Sequence, residues 1–179
     1  GANWSGVPSW CIARFDYDNE KEFSMDYVEN YLHNIDNRAC GWIDWMLAET
    51  YGEGYTIYLN GMKNQKSLGS CAMDGNRFPK LKYRIYEKAL WVPFSQKPGV
   101  ALQSHWNYSG AQEVDAWSNC PYVELFINEK SKGIAKPEQR TRRCTWKQIQ
   151  WEPGSVKAVG LDWNRKPVCS EEINSSGEP

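Results

Sequence analysis

The sequence predicts an α+β chain in which a helix–strand–helix unit of α/β type is followed by a small antiparallel β-sandwich. Three observations predict it. Apolar residues recur at helical spacing twice before residue 92, at Met25, Val28, Leu32 and Ile35, then at Leu81, Ile85, Tyr86, Ala89 and Leu90. Between these lies a run from Gly41 to Ala48 that is apolar on both faces apart from Asp44, the pattern of a parallel strand covered on both sides. Beyond residue 99, short alternating runs bounded by turn residues replace the helical periods.

Residues 1–22, rich in Trp, Pro, Gly and Asp, are too long for a simple connector and read as a binding loop or a disordered end. The first helix is expected to begin at Ser24 as N-cap, with Phe23 packing onto Val28, and to close at Asn37. Residues 53–76 are polar and glycine-rich, with Asn60-Gly61 and Asp74-Gly75 as turn signals. Pro79 stands near the first turn of the second helix. The stretch Val92-Pro-Phe-Ser-Gln-Lys-Pro-Gly99 marks the boundary between domains 1–92 and 93–179. Strands are expected at 100–106, 113–117, 122–128, 143–149 and 156–162. The charged residues 129–142 read as a solvated loop, and 170–179 as a tail. Trp106 and Trp117 are expected in the sandwich core, His105 in a structural role, and Arg140-Thr-Arg-Arg143 as an exposed charged run.

The 179 residues suffice for one ordinary domain or two small ones. With Lys+Arg 21 against Asp+Glu 22, the chain lacks the basic footprint of a nucleic-acid or anionic-membrane partner, and no apolar run is long enough to cross a bilayer. The six cysteines (Cys11, Cys40, Cys71, Cys120, Cys144 and Cys169) are scattered without a Cys-x-x-Cys pair. With only two histidines, this argues against a zinc site, and the cysteines read as free, buried thiols. Ten tryptophans hint at carbohydrate, because indole faces stack on the C–H faces of sugar rings, although Trp also packs cores and favours strands.

Among the carboxylates near the buried run, strand alternation sets Trp45 and Glu49 on one face and Asp44 on the other, while Glu53 lies beyond the strand end. Glu49 and Glu53 read as hydrogen-bonding or ion-pairing groups at the rim rather than as a free-standing catalytic pair.

Gly41, Trp45, Glu49, Gly52 and Glu53 fall without a gap on the pattern Gly-Gly-Phe-x-Trp-x-x-x-Asp-Tyr-x-Gly-Glu, with Glu49 in place of Asp. Asp74-Gly-Asn-Arg-Phe-Pro-Lys80 and Trp91 follow, then His105-Trp-Asn-Tyr108, then Ser118-Asn-Cys-Pro-Tyr-Val-Glu-Leu-Phe-Ile-Asn-Glu-Lys-Ser131, then Pro153, Gly154 and Lys157-Ala-Val159. In this order the motifs resemble the C-terminal part of glycoside hydrolase family 2, the β-galactosidase-like enzymes, over nearly all of residues 40–179. Trp4-Ser-Gly-Val-Pro8 and Tyr17-Asp-Asn-Glu20 look like the loop after that family's seventh barrel strand.

The resemblance implies the last helix–strand–helix of a (β/α)8 barrel, then an immunoglobulin-like sandwich. It implies a parent enzyme, expected in the periplasm or outside the cell, that cleaves a terminal β-linked sugar with retention, β-galactoside first, and uses no organic cofactor. The family's two catalytic glutamates, on barrel strands four and seven, have no counterpart here, so no residue is assigned as catalytic. By resemblance Trp45 forms the floor beneath the sugar, Glu49 accepts hydrogen bonds from its hydroxyls, and Tyr51 and Trp4 stand in the pocket wall. The expected partners are a carbohydrate and, to cover the helices' apolar faces, the rest of the barrel, a companion chain or a second copy. The rival reading is a non-catalytic carbohydrate-binding or adhesion module. Two departures stand out: Glu129 replaces a turn Gly, which predicts a different and longer loop, and Asn164-Arg165 replace an Asp-Gly hairpin, a mild change because Asn tolerates the left-handed conformation.

Overall fold

The computed structural model describes residues 20–41, 47–48, 72–74, 76–103, 105–107 and 110–176. The chain divides into two compact units, Gly1–Tyr83 and Arg84–Pro179. In the first, helix α1 spans Glu20–Asp36. It starts four residues before Ser24, which lies buried inside the helix and not at its cap. Glu20, Lys21 and Glu22 are good helix formers, so the turn ahead of Ser24 is helical too. Val28 and Leu32 are buried as expected, whereas Ile35 is 47% exposed.

The helix ends as the sequence predicts, at Asn37, whose side-chain amide donates to His33 O at 2.7 Å. Arg38 then takes a left-handed φ of 58°, with Ala39 N donating to Asn34 O and Arg38 N to Ile35 O. That is the hydrogen-bond pattern of a Schellman cap, closed by arginine rather than glycine.

Of the expected strand, only Gly41, Leu47 and Ala48 fall within the described residues. Ala48 pairs with Met73 in parallel, and Met73 N donates to Leu47 O at 2.8 Å. Met73 also bridges Pro79 in the antiparallel sense. Asp74 folds the chain between them, its Oδ1 accepting from the backbone of Asn76 and Phe78. Helix α2, Leu81–Ile85, runs directly into a π-helical turn, Tyr86–Leu90. Leu81, Ile85, Tyr86 and Ala89 are buried, in agreement with the sequence pattern, and Lys82 sets its ammonium 3.9 Å from the Tyr27 ring centroid. No described helix is long and apolar enough to cross a membrane.

The second unit is a sandwich of seven antiparallel strands: β1 (Val100–Leu102), β2 (Ala111–Ser118), β3 (Tyr122–Ile127), β4 (Lys130–Ala135), β5 (Arg143–Gln150), β6 (Ser155–Leu161) and β7 (Pro167–Asn174). One sheet has the order β1-β2-β5, the other β4-β3-β6-β7. Val100, Leu102, Val114, Ala116, Cys144 and Ile149 of the first sheet pack with Val123, Leu125, Ile127, Val156 and Ala158 of the second around Trp106. In β3 and β6 these positions alternate with more exposed ones, which is why periodicity finds them. The π-helical turn packs against β1 and β2, and β2 is buried from Val114 to Ser118 without alternation.

Two expectations fail at the edges. Residues 129–142 are not a solvated loop, since they contain β4, and residues 170–179 are not a tail, since β7 continues to Asn174. Both strands border the four-stranded sheet, where charged, partly exposed side chains are the ordinary device against edge-to-edge pairing. Their polar composition hid them.

The β3–β4 turn also differs from expectation. It is a tight two-residue connection, with Ile127 opposite Lys130, and Asn128 and Glu129 carry positive φ of 47° and 65°. The loop is therefore not lengthened at this point, and Glu129 occupies a glycine-type conformation. In the β6–β7 turn the left-handed residue is Arg165 (φ 60°) rather than Asn164; its guanidinium lies 5.6 Å from the Tyr122 ring centroid. An L-residue held left-handed costs roughly 1–2 kcal/mol. Glu129→Gly is expected to stabilise the chain by about 1 kcal/mol, seen as a higher urea midpoint. A lower midpoint would contradict this account of the turn.

Candidate functional site

The four residues expected to contact a sugar, Trp4, Trp45, Glu49 and Tyr51, lie outside the described residues. The described frame beside three of them is the parallel rung between Ala48 and Met73, followed by the Asp74 turn. Leu47 and Phe78 in this frame are both well exposed, at 64% and 67%.

The motifs in the second unit turn out to be clasps. Ser118, Asn119 and Cys120 hold the segment that leads into β1: Asn119 Oδ1 accepts from Gly99 N at 2.8 Å, and its amide donates to Val92 O and Lys97 O. Ser118 Oγ donates to Gly99 O at 2.6 Å and accepts from Cys120 N. Gly99 itself passes so close to the π-helical turn that a Cβ would fall 2.6 Å from Lys88 O. Asn128 holds the β5–β6 turn, donating to Pro153 O and accepting from Ser155 N. Trp106 donates to Glu152 O, and Trp151 returns a bond to Trp106 O. Trp106 and Trp117 are core residues, as the sequence predicts.

Two acids are bound by cations. Asp115, fully buried on β2, receives Arg143 Nε and Nη2 at 2.8 Å each and Thr145 Oγ1 at 2.6 Å. Arg143 is thus not part of an exposed charged run. It opens β5, and its cross-strand position places the guanidinium on Asp115. Glu171, on β7, accepts Lys88 Nζ at 2.5 Å, Arg84 Nη1 at 3.0 Å and the backbone N–H of Leu102 at 2.5 Å. Both carboxylates are committed to holding structure.

Residues 110–169, essentially the sandwich from β2 into β7, match the family model described as a domain of unknown function, DUF4982. The β-galactosidase BoGH2A of Bacteroides ovatus is 34% identical over 107 residues, 57% of this chain and 12% of that protein. A β-glucuronidase of Formosa agariphila is 25% identical over 164 residues, 89% of this chain and 16% of its own length. Among solved structures, a β-glucuronidase from glycoside hydrolase family 2 superposes on 89% of this chain and 16% of its own, with a TM-score of 0.65 at 21% identity.

The chain is a relative of family 2 glycoside hydrolases.

It spans between one-eighth and one-sixth of the length of these family 2 relatives. Among the described residues no three His, Cys, Asp or Glu gather as metal ligands. What the sequence does not reveal is that Cys120 and Cys169 meet. Their scatter along the sequence hides a contact made only when β7 joins the sheet. The hydrogen bond that Cys120 shares with Cys169, joined by those with the Ser118 side chain and the Gly99 backbone, outweighs burial and holds Cys120 down at about 7. The same bond, then burial, pushes Cys169 up.

Proposed function

We propose that this chain is part of a retaining glycoside hydrolase acting on terminal β-linked sugars, in which it supplies a wall of the pocket and the supporting sandwich but not the catalytic glutamates. The relationship to BoGH2A carries the proposal. In this reading residues 1–92 are the closing part of a (β/α)8 barrel and 93–179 an immunoglobulin-like domain. The parallel rung at Ala48 and Met73 supports the first assignment, and the three-plus-four antiparallel sheets support the second. Retention requires two carboxyl groups about 5 Å apart, and in this reading both come from the remainder of the barrel. Trp45 then floors the sugar site, Glu49 accepts from a hydroxyl, and Tyr51 and Trp4 flank them.

The sugar is a β-galactoside in the first reading. A β-glucuronide is favoured by one observation: the relative named as a β-glucuronidase aligns over 89% of the chain, against 57% for the β-galactosidase.

The test is a chimera in which this chain replaces the matching segment of BoGH2A, assayed on nitrophenyl β-galactoside and β-glucuronide. The isolated chain is expected to hydrolyse neither substrate, and the chimera one of them. Trp45→Ala in the chimera should lower kcat/KM roughly 10- to 100-fold, equivalent to about 1.4–2.7 kcal/mol of transition-state binding. Hydrolysis by the isolated chain, abolished by Glu49→Gln, would overturn the proposal. Saturable sugar binding by the isolated chain, with a chimera indifferent to Trp45, would make it a binding module instead.

A further inference from the structure

The sulfurs of Cys120 and Cys169 lie 3.6 Å apart, although 49 positions separate the two residues. Cys120 sits in the turn before β3. Cys169 lies on β7 directly opposite Gly160 of β6. A Cβ on Gly160 would fall 2.5 Å from the Cys169 sulfur and 2.7 Å from that of Cys120. The side chain that glycine lacks is the space in which the two sulfurs meet. Their access to solvent differs. Cys120 is buried, whereas Cys169 is half-buried and lines a cleft of about 120 Å³ together with Lys88, Lys97 and Gly99.

We propose that Cys120 and Cys169 form a reversible redox site, oxidised to an intramolecular disulfide by a small-molecule disulfide that enters through the cleft and reacts first at Cys169. In the first step the Cys169 sulfur attacks one sulfur of the external disulfide, which breaks that bond, releases one small thiol and leaves a mixed disulfide on Cys169. In the second, the Cys120 thiolate attacks the Cys169 sulfur and expels the other half as a second thiol. Two protein thiols lose two protons and two electrons in all, and the external disulfide takes up both pairs as it becomes two thiols.

The charge that the exchange needs is present near neutral pH, because Cys120 is held down at about 7. The proton of the pair rests on Cys169. As the Cys169 sulfur attacks, that proton passes across the 3.6 Å contact to the Cys120 sulfur. Once Cys169 is capped, Cys120 gives the proton up to solvent and becomes the nucleophile. The new bond ties the edge strand β7 to the turn that joins the two sheets, closing a loop of 49 residues' separation and restricting the unfolded chain.

The full chain is incubated with 2-hydroxyethyl disulfide, remaining thiols are blocked in acid, and tryptic peptides are weighed. The expected product is a Cys120–Cys169 cross-linked peptide that dithiothreitol returns to two thiols, with a thermal midpoint about 5 °C or more above that of the reduced chain. Cys120→Ser should instead accumulate the mixed disulfide on Cys169, while Cys169→Ser leaves Cys120 unmodified. A mixed disulfide that persists on Cys169 in the unmutated chain would overturn the proposal. So would modification of Cys120 at the same rate in Cys169→Ser, or no reaction at either sulfur.

Discussion

Asp115→Ala is expected to lower the stability of the chain by about 3 kcal/mol or more, the usual cost of breaking a buried ion pair from one side. The carboxylate is fully buried in the middle of β2 and takes a bidentate pair of bonds from Arg143 and a third from Thr145. Its removal leaves a three-quarters-buried guanidinium and a hydroxyl without their acceptor. Part of the cost is uncompensated charge rather than lost attraction. The pair replaced together, Asp115→Leu with Arg143→Met, should therefore be less damaging than Asp115→Ala alone. Urea titration followed by Trp fluorescence reads both effects, since Trp117 lies two residues away on the same strand and is buried. A drop below about 1 kcal/mol for Asp115→Ala would mean that the Arg143 guanidinium escapes to water, and the pair would then count as a surface one.

Glu171→Ala is expected to cost about 2–4 kcal/mol, because this single side chain joins three elements. It ties the helix carrying Arg84 and Lys88 to β7, and it caps the N–H of Leu102 on β1, a strand of the opposite sheet. At the other seam Trp146 of β5 donates to Gly133 O of β4. The two sheets are thus pinned at both margins by one side-chain bond each. Glu171→Gln separates the contributions, since the amide oxygen can still accept from Leu102 while the attraction to both cations is lost. About half of the alanine effect should remain. In a double-mutant cycle with Lys88→Ala the two losses should fall short of additive by about 0.5 kcal/mol or more. Strict additivity would show that the Lys88 contact contributes nothing to stability.

The interior strands were legible because one face packs into the core while the other is partly open to water. In β3 and β6, Val123, Leu125, Ile127, Val156 and Ala158 alternate with more exposed residues, and the period announces the strand. The edge strands β4 and β7 follow the same geometry, but Lys130, Lys132, Glu171 and Glu172 erase the hydrophobic contrast on which the period depends. Ser24 misled for a related reason. A serine that caps a helix and one that is buried within it look alike when the residues before it are also helix formers. Arg143 and Glu171 looked like surface charge because their partners lie 28 and 87 positions away. The candidate sugar contacts rest on a different kind of signal, the unbroken spacing of Gly41, Trp45, Glu49, Gly52 and Glu53, which no periodicity supplies.

The three-way grip of Glu171 also bears on what counts as the portable piece of this chain. A sandwich severed at residues 92–99 would keep Glu171 but shed Arg84 and Lys88, together with the Val92 and Lys97 carbonyls that Asn119 holds. The carboxylate would then sit at the seam with only the Leu102 amide to answer it. The unit that recombination can move intact is therefore the seven strands with Arg84–Leu90 attached, a sandwich that travels with its own helical handle.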